Sequence, residues 1–415
     1  MHTRKVSVIC VALAGALFTG CSSQGANSLP GSATVEQSTV QHAGAAHWIY
    51  PTRKFAGSME LLKLQAEGKI VSPVTPAAAL REYKNVASAK RPVFHVHSGG
   101  TPAMWLSDTG FSYLIGMDSR HQAVVAVDTS KNSCYSAETV KVDHQHNVWL
   151  ACQLNASFQS GSAQEYDGNG TLLTTYSAGC PSNIPASLCA IFFSGTVDQA
   201  ESATHVFVGL SYYVSCDSLY NCTSVNGGGL EFWKTGHASD QPTVNPFSLA
   251  GITLSGSGYL DADTSDNVYY TYNGCLNSSP YTCGYGLAEY ANATSPSGAQ
   301  TVLLPPGSIG TFGGVTISNH GKVLNVLDQI SRTVTQYALP WTGVPLRTLG
   351  PTGTPSPGEG DPVSGGFNHN DSKMIVGDAY GWLDGITVKS NTVKIRATAE
   401  CAGGCHGAAF TPSDK

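Results

Sequence analysis

The sequence predicts an all-β protein, a six-bladed β-propeller, on three observations. After about Val93, short runs rich in Val, Tyr and Leu alternate with Gly, Asn, Asp and Ser turns, a pattern of many short strands. One motif recurs along that region: Asp143-His-Gln-His-Asn147-Val148-Trp149-Leu150 matches Asp263-Thr-Ser-Asp-Asn267-Val268-Tyr269-Tyr270. The two ends of the β-rich region read as complementary parts of one blade.

Before that region lie three segments of different character. Arg4 and Lys5 open residues 1–20, and residues 6–18 are apolar but too short to span a bilayer. Leu17-Phe18-Thr19-Gly20-Cys21 resembles a bacterial lipobox. That resemblance implies a lipoprotein signal peptide over 1–20, cleavage before Cys21 and lipid on its thiol. It places the body at the bacterial cell envelope outside the cytoplasm, held to the membrane through a lipid anchor only. Residues 21–50, rich in Ser, Gly, Gln and Ala, read as a flexible tether. Residues 51–92 read as a partly helical extension, with helices over 55–67 and 77–83.

Residues 93–415 form the propeller. Weaker copies of the motif keep its spacing, from Glu201 to Phe207, Ser318 to Leu324 and His369 to Ile375, with a last partial copy at Thr411; successive copies lie 42 to 62 residues apart. A second element follows several of them: Glu165-Tyr166, Glu231-Phe232, Glu289-Tyr290 and Gln336-Tyr337. A repeat of ~40–50 residues with about four short strands is a propeller blade. The first motif is then the turn from the inner to the second strand. The second is the third strand, and runs such as 171–176 and 301–304 are the fourth. In that slot Asp143, Glu201 and Asp263 are expected to cap the turn through backbone N–H groups.

The closure follows from the ends. Residues 406–415 look like an inner strand and its turn with no second strand to follow. Ala103-Met-Trp-Leu-Ser-Asp108 looks like a second strand with no inner strand before it. The C-terminal strand therefore completes the first blade and hides two sheet edges. The third blade is long and irregular, which leaves seven as the alternative count.

These motifs resemble NHL-type and lactonase-like six-bladed propellers of secreted bacterial proteins. The resemblance covers residues 93–415 and implies blade architecture. It includes lyases, lactonases and interaction scaffolds alike, so it does not choose an activity.

Ten cysteines follow Cys21 as chain neighbours: Cys134 and Cys152, Cys180 and Cys189, Cys216 and Cys222, Cys275 and Cys283, Cys401 and Cys405. The even number fits an oxidising compartment. Sequence leaves the connectivity open; the clustering favours five local bridges that staple surface loops.

Second strands run out, and the last inner strand begins, at one channel mouth. The residues placed there are Asp108, Gln153, Asn155, Tyr272, Asn273, Asp328, Asp378 and His406. Such a ring could bind a polar small molecule or a hard divalent cation. Tyrosines concentrated in blades three and four (Tyr212, Tyr213, Tyr220, Tyr269, Tyr270, Tyr272, Tyr281 and Tyr285) suggest an aromatic binding face.

Other signals are weaker. Cys401-Ala-Gly-Gly-Cys405-His406 has one residue too many for a c-type haem site. His95 and His97 share one face of a strand but lack a third ligand, and His144 and His146 flank a turn. No nucleophile elbow, phosphate loop, dinucleotide fingerprint or HExxH motif is present. A net charge of −6 and only 12 % charged residues give no basic footprint, so nucleic acid is not an expected partner. The expected function is thus an envelope-tethered monomer that binds a protein or glycan, without a cofactor. The alternative is a metal-dependent lactonase- or lyase-like enzyme with a divalent ion at the channel, held among Asp108, Asn273, Asp328 and Asp378.

Overall fold

The computed structural model describes residues 96–412, apart from 110–111, 135–136, 153–159, 180–189, 198–202, 217–221, 225–227, 280–281, 296, 311–313, 330, 351, 353–361, 379–381 and 398–404. The signal, Cys21, the tether and the helices expected over 55–67 and 77–83 lie outside the described residues. Six antiparallel sheets make up the rest.

Blade one holds β1 (Met104–Asp108), β2 (Tyr113–Met117) and β3 (Ala123–Asp128). Blade two holds β4 (Ala137–Val142), β5 (Val148–Cys152), β6 (Ser160–Tyr166) and β7 (Leu172–Gly179). Blade three holds β8 (Ala190–Val197), β9 (His205–Cys216), the short β10 (Cys222–Ser224), β11 (Gly229–Lys234) and β12 (Thr243–Pro246). Blade four holds β13 (Ile252–Ala262), β14 (Val268–Leu276), β15 (Cys283–Ala291) and β16 (Ala299–Ile309). Blade five holds β17 (Val315–Ile317), β18 (Val323–Asp328), β19 (Thr333–Ala338) and β20 (Pro345–Leu349). Blade six holds β21 (Pro362–Phe367), β22 (Lys373–Asp378), β23 (Trp382–Thr387) and β24 (Thr392–Ala397). The last strand, β25 (Cys405–Phe410), returns to blade one as its inner strand.

That return is the predicted closure. Met104 faces Phe410, and Leu106 faces Ala408. Thr411 N–H and Oγ1 then donate to Ala103 O and Pro102 O, both at 2.9 Å. The inner strands β25, β4, β8, β13, β17 and β21 each touch the next, closing the ring. The irregularity expected of blade three is real and has a simple cause: β9 runs twelve residues, so it outlasts β11 and pairs its far end with β10.

The recurrent acidic residue is a turn cap at Asp143 and Asp263, while Glu201 lies outside the described residues. Asp143 Oδ1 accepts from Gln145 N–H at 2.8 Å and Asn147 N–H at 2.9 Å. Asp263 does the same with Ser265 and Asn267. Asp118 and Asp167, in turns between third and fourth blade strands, repeat the arrangement. The third residue after each of these acids is left-handed: His121, His146, Gly170 and Asp266 have φ between 57° and 83°. An Asx turn supplies this geometry, which is why Asp recurs. Asp143 goes further, since its Oδ2 accepts the buried Trp149 indole N–H at 3.0 Å.

The core lies between blades, where sheet faces meet. Trp105, Trp149, Tyr176 and Trp233 pack into one seam spanning blades one to three. The tyrosines of blade four belong to such seams. Tyr269, Tyr270, Tyr272 and Tyr285 are all buried, and Tyr270 stacks on Phe247 with ring centroids 4.3 Å apart. The expected aromatic binding face is corrected to this extent: wedge-shaped gaps between twisted sheets take these rings as filling. The side chains of Tyr212, Tyr213, Tyr220 and Tyr281 lie outside the described set.

Candidate functional site

The ring has two faces. We call the face where inner strands begin the upper face and the face where they end the lower face. All the cysteines with a described position are at the upper face. Cys134–Cys152 bridges the approach to β4 and the end of β5, and Cys275–Cys283 joins the end of β14 to the start of β15. These are two of the five expected local pairs. Cys216 faces Cys222 in register. Cys405 is disulfide-bonded, and Cys401, Cys180 and Cys189 lie outside the described residues.

The residues expected at the mouth have different fates. Asp108 ends β1 and is fully buried where the register against β25 shifts, opposite Cys405. Asp328 is half-buried at the rim. Its Oδ2 accepts from Gly310 N–H and its Oδ1 from Ser331 N–H, both at 3.2 Å, so it ties two loops. Asn273 is half-buried in β14. Tyr272 is a core residue of blade four, and its hydroxyl donates to Leu304 O at 3.0 Å. Asp378 ends β22 with its side chain outside the described set, as are Gln153 and Asn155. Among the described residues no three His, Cys, Asp or Glu side chains gather closely enough to hold a metal.

His406 lies inside the channel wall. Its Nδ1 is 2.7 Å from Glu138 Oε2, and both side chains are buried. This pair fastens β25 to β4. Around it Ser364 Oγ donates to His406 O at 2.7 Å, and Ser107 Oγ donates to Glu138 O. The backbones approach so closely that a Cβ on Gly407 would collide with Glu138 O, Ser107 Oγ and Val140 N. Only glycine fits there.

A second polar layer sits nearer the lower face. Asp261 on β13 takes an ion pair from Lys141 on β4. It also accepts Thr196 Oγ1 from β8 and Ile317 N–H from β17, each at 2.8 Å. One carboxylate thus joins inner strands of blades two, three, four and five. Charge-assisted bonds of this kind are the stronger sort.

A third buried acid lies away from the axis. Glu231 on β11 faces blade two, where the Gly179 N–H serves its carboxyl, while its Oε2 has no hydrogen-bond partner among the described residues. Burial pushes this carboxyl up to about 8, so at neutral pH it holds its proton.

Sequence reasoning missed Glu138, Lys141, Asp261 and the burial of Glu231. Each occupies an ordinary alternating strand position.

No protein-family model matches the chain, and no curated protein does. Among solved structures it is similar to a chain in the crystal structure of a nidogen/laminin complex. That match has 10 % identity and a TM-score of 0.49, over 76 % of this chain and 100 % of the other. The structure of the Dos1 propeller matches with 12 % identity and a TM-score of 0.36, over 73 % of this chain and 68 % of the other. Likeness at such identities concerns fold alone, and the six-blade count rests on the sheet topology itself.

Proposed function

We propose that the protein is a lipid-tethered scaffold of a bacterial envelope that binds a protein or glycan on its upper face. The observation that carries this reading is the gathering of disulfides at that face. Bridges that close short loops add little to global stability, but they fix the shape of a surface, and pre-shaped surfaces bind at lower entropic cost. The channel acids support the same reading. Glu138 and Asp261 are committed to inter-blade bonds, the work of a frame. The lipobox-like run before Cys21 and the NHL-like motifs supply the envelope setting.

Two measurements test it. Cys21→Ser should move the protein from the membrane pellet to the soluble fraction. A photo-crosslinker at exposed Ser278, on the upper face, should give a defined adduct in intact cells, and one at Asn169, on the lower face, should not give that adduct. No upper-face adduct, or the same adduct from both, overturns the reading.

A further inference from the structure

The bridges Cys134–Cys152 and Cys275–Cys283 sit in opposite surroundings. Cys134 and Cys152 are fully buried and belong to the apolar seam of Trp105, Trp149 and Tyr176. Cys283 is exposed and Cys275 half-buried, at the upper end of blade four. Cys134 and Cys152 are 18 positions apart in the chain, Cys275 and Cys283 only 8. The shorter bridge joins residues that already face each other in the ladder of β14 and β15.

The backbone holds that hairpin without the sulfurs. Gly274 pairs with Gly284 on one side of the bridge. On the other side Leu276 N–H donates to Thr282 O at 2.9 Å. The same end of β14 is seated on β13, where Thr253 faces Cys275 and Gly251 O accepts from Asn277 N–H at 2.9 Å. Thr253 Oγ1 also donates to Asn277 Oδ1 at 2.6 Å. A bridge across a short loop contributes least to stability, and the ladder has closed this loop already. Losing the bond therefore leaves the strands in place.

We propose that Cys275–Cys283 is a thiol-exchange site on the upper face, and that Cys283 Sγ is the sulfur an incoming dithiol attacks. Exchange needs access to a sulfur. Of the residues in these two bridges, only Cys283 is exposed. No charged residue lies between Asn273 and Tyr285, so no carboxylate of the hairpin repels an approaching thiolate. The thiolate bonds to Cys283 Sγ, the S–S bond breaks, and its electron pair leaves on Cys275 Sγ, which takes a proton from water. The second thiolate of the dithiol then attacks its own bonded sulfur in the mixed disulfide and releases Cys283 Sγ. The dithiol ends as a disulfide, having given two electrons to the bridge. The hairpin stays on the sheet, and the upper face gains a thiol open to a mixed disulfide with a partner's cysteine. Cys134–Cys152 is closed to the same attack until its seam opens. Covalent capture here is distinct from the non-covalent binding proposed for this face, and neither result decides the other.

The test titrates the purified protein with dithiothreitol near neutral pH, traps thiols with iodoacetamide and maps each cysteine by mass spectrometry. Cys275 and Cys283 should be alkylated at roughly tenfold less dithiothreitol than Cys134 and Cys152. At that point the melting temperature should match that of the oxidised protein. Incubated with oxidised glutathione, the variant Cys275→Ser should take up glutathione at Cys283. The double variant Cys275→Ser, Cys283→Ser should keep the parental melting temperature. Opening of Cys134–Cys152 at the same dithiothreitol, or opening of Cys275–Cys283 only as the protein unfolds, overturns the proposal. So does a double variant that fails to fold, or a single variant that takes no glutathione at Cys283.

Discussion

Deleting residues 406–415 should destroy the fold, although ten residues at a chain end are usually dispensable. The deletion removes nearly all of β25, whose residues are buried throughout. Losing Phe410 alone forfeits about 2–3 kcal/mol of apolar burial, and Ala408 and Ala409 add to that. The ladder to β1 and the bonds from Thr411 to Ala103 and Pro102 contribute roughly 1 kcal/mol each. Glu138 loses its hydrogen bond to His406, worth roughly 1–3 kcal/mol. Together these losses are on the order of 10 kcal/mol, comparable to the whole net stability of a typical domain. Urea unfolding and limited proteolysis should find the variant unfolded or aggregated in buffer. Deleting residues 22–40 instead should leave the melting temperature unchanged. A C-terminal deletion that melts like the parent would refute the closure and the count of six.

Glu231→Gln should stabilise the protein at pH 8 and leave it unchanged near pH 4.5. The folded state keeps a proton that the unfolded chain releases above its ordinary carboxylate value, so wild-type stability falls as pH rises toward about 8 and is level beyond it. Urea titrations across that window should show the variant gaining a few kcal/mol, and parallel curves would sink the idea. Gly407→Ala should cost more than about 3 kcal/mol, because its Cβ meets backbone on β4 that cannot retreat; a thermal melt reads this directly. Asp143→Ala should cost about 2–3 kcal/mol and Asp263→Ala nearer 1 kcal/mol, the difference being the Trp149 indole N–H left buried. In an absorbance titration Tyr259, Tyr269, Tyr270 and Tyr272 should ionise only as the fold is lost, since burial raises each of them.

What the sequence made legible was local. The Asp143 and Asp263 turns could be read because their chemistry is completed within five residues. The closure could be read because each end lacked what the other supplied. Glu138 and Lys141 could not, because alternation in β4 looks the same whether its polar side meets water or a neighbouring blade. Their partners are 268 and 120 positions away. The tyrosines of blade four misled for the same reason. Aromatic residues suit both strands and binding faces, and only the assembled ring shows which gap they fill.

The closing strand also sets the order in which the molecule can form. Thr411 bonds to a residue 309 positions earlier in the chain. A chain made or threaded from its N-terminus exposes β1 long before β25 exists. During that interval the inner edge of blade one, with Leu106 and Ser107 at its centre, is an open template for any strand that passes. Contacts of such separation are slow to form. The protein therefore cannot become a finished ring while any part of β25 is still held in the ribosome.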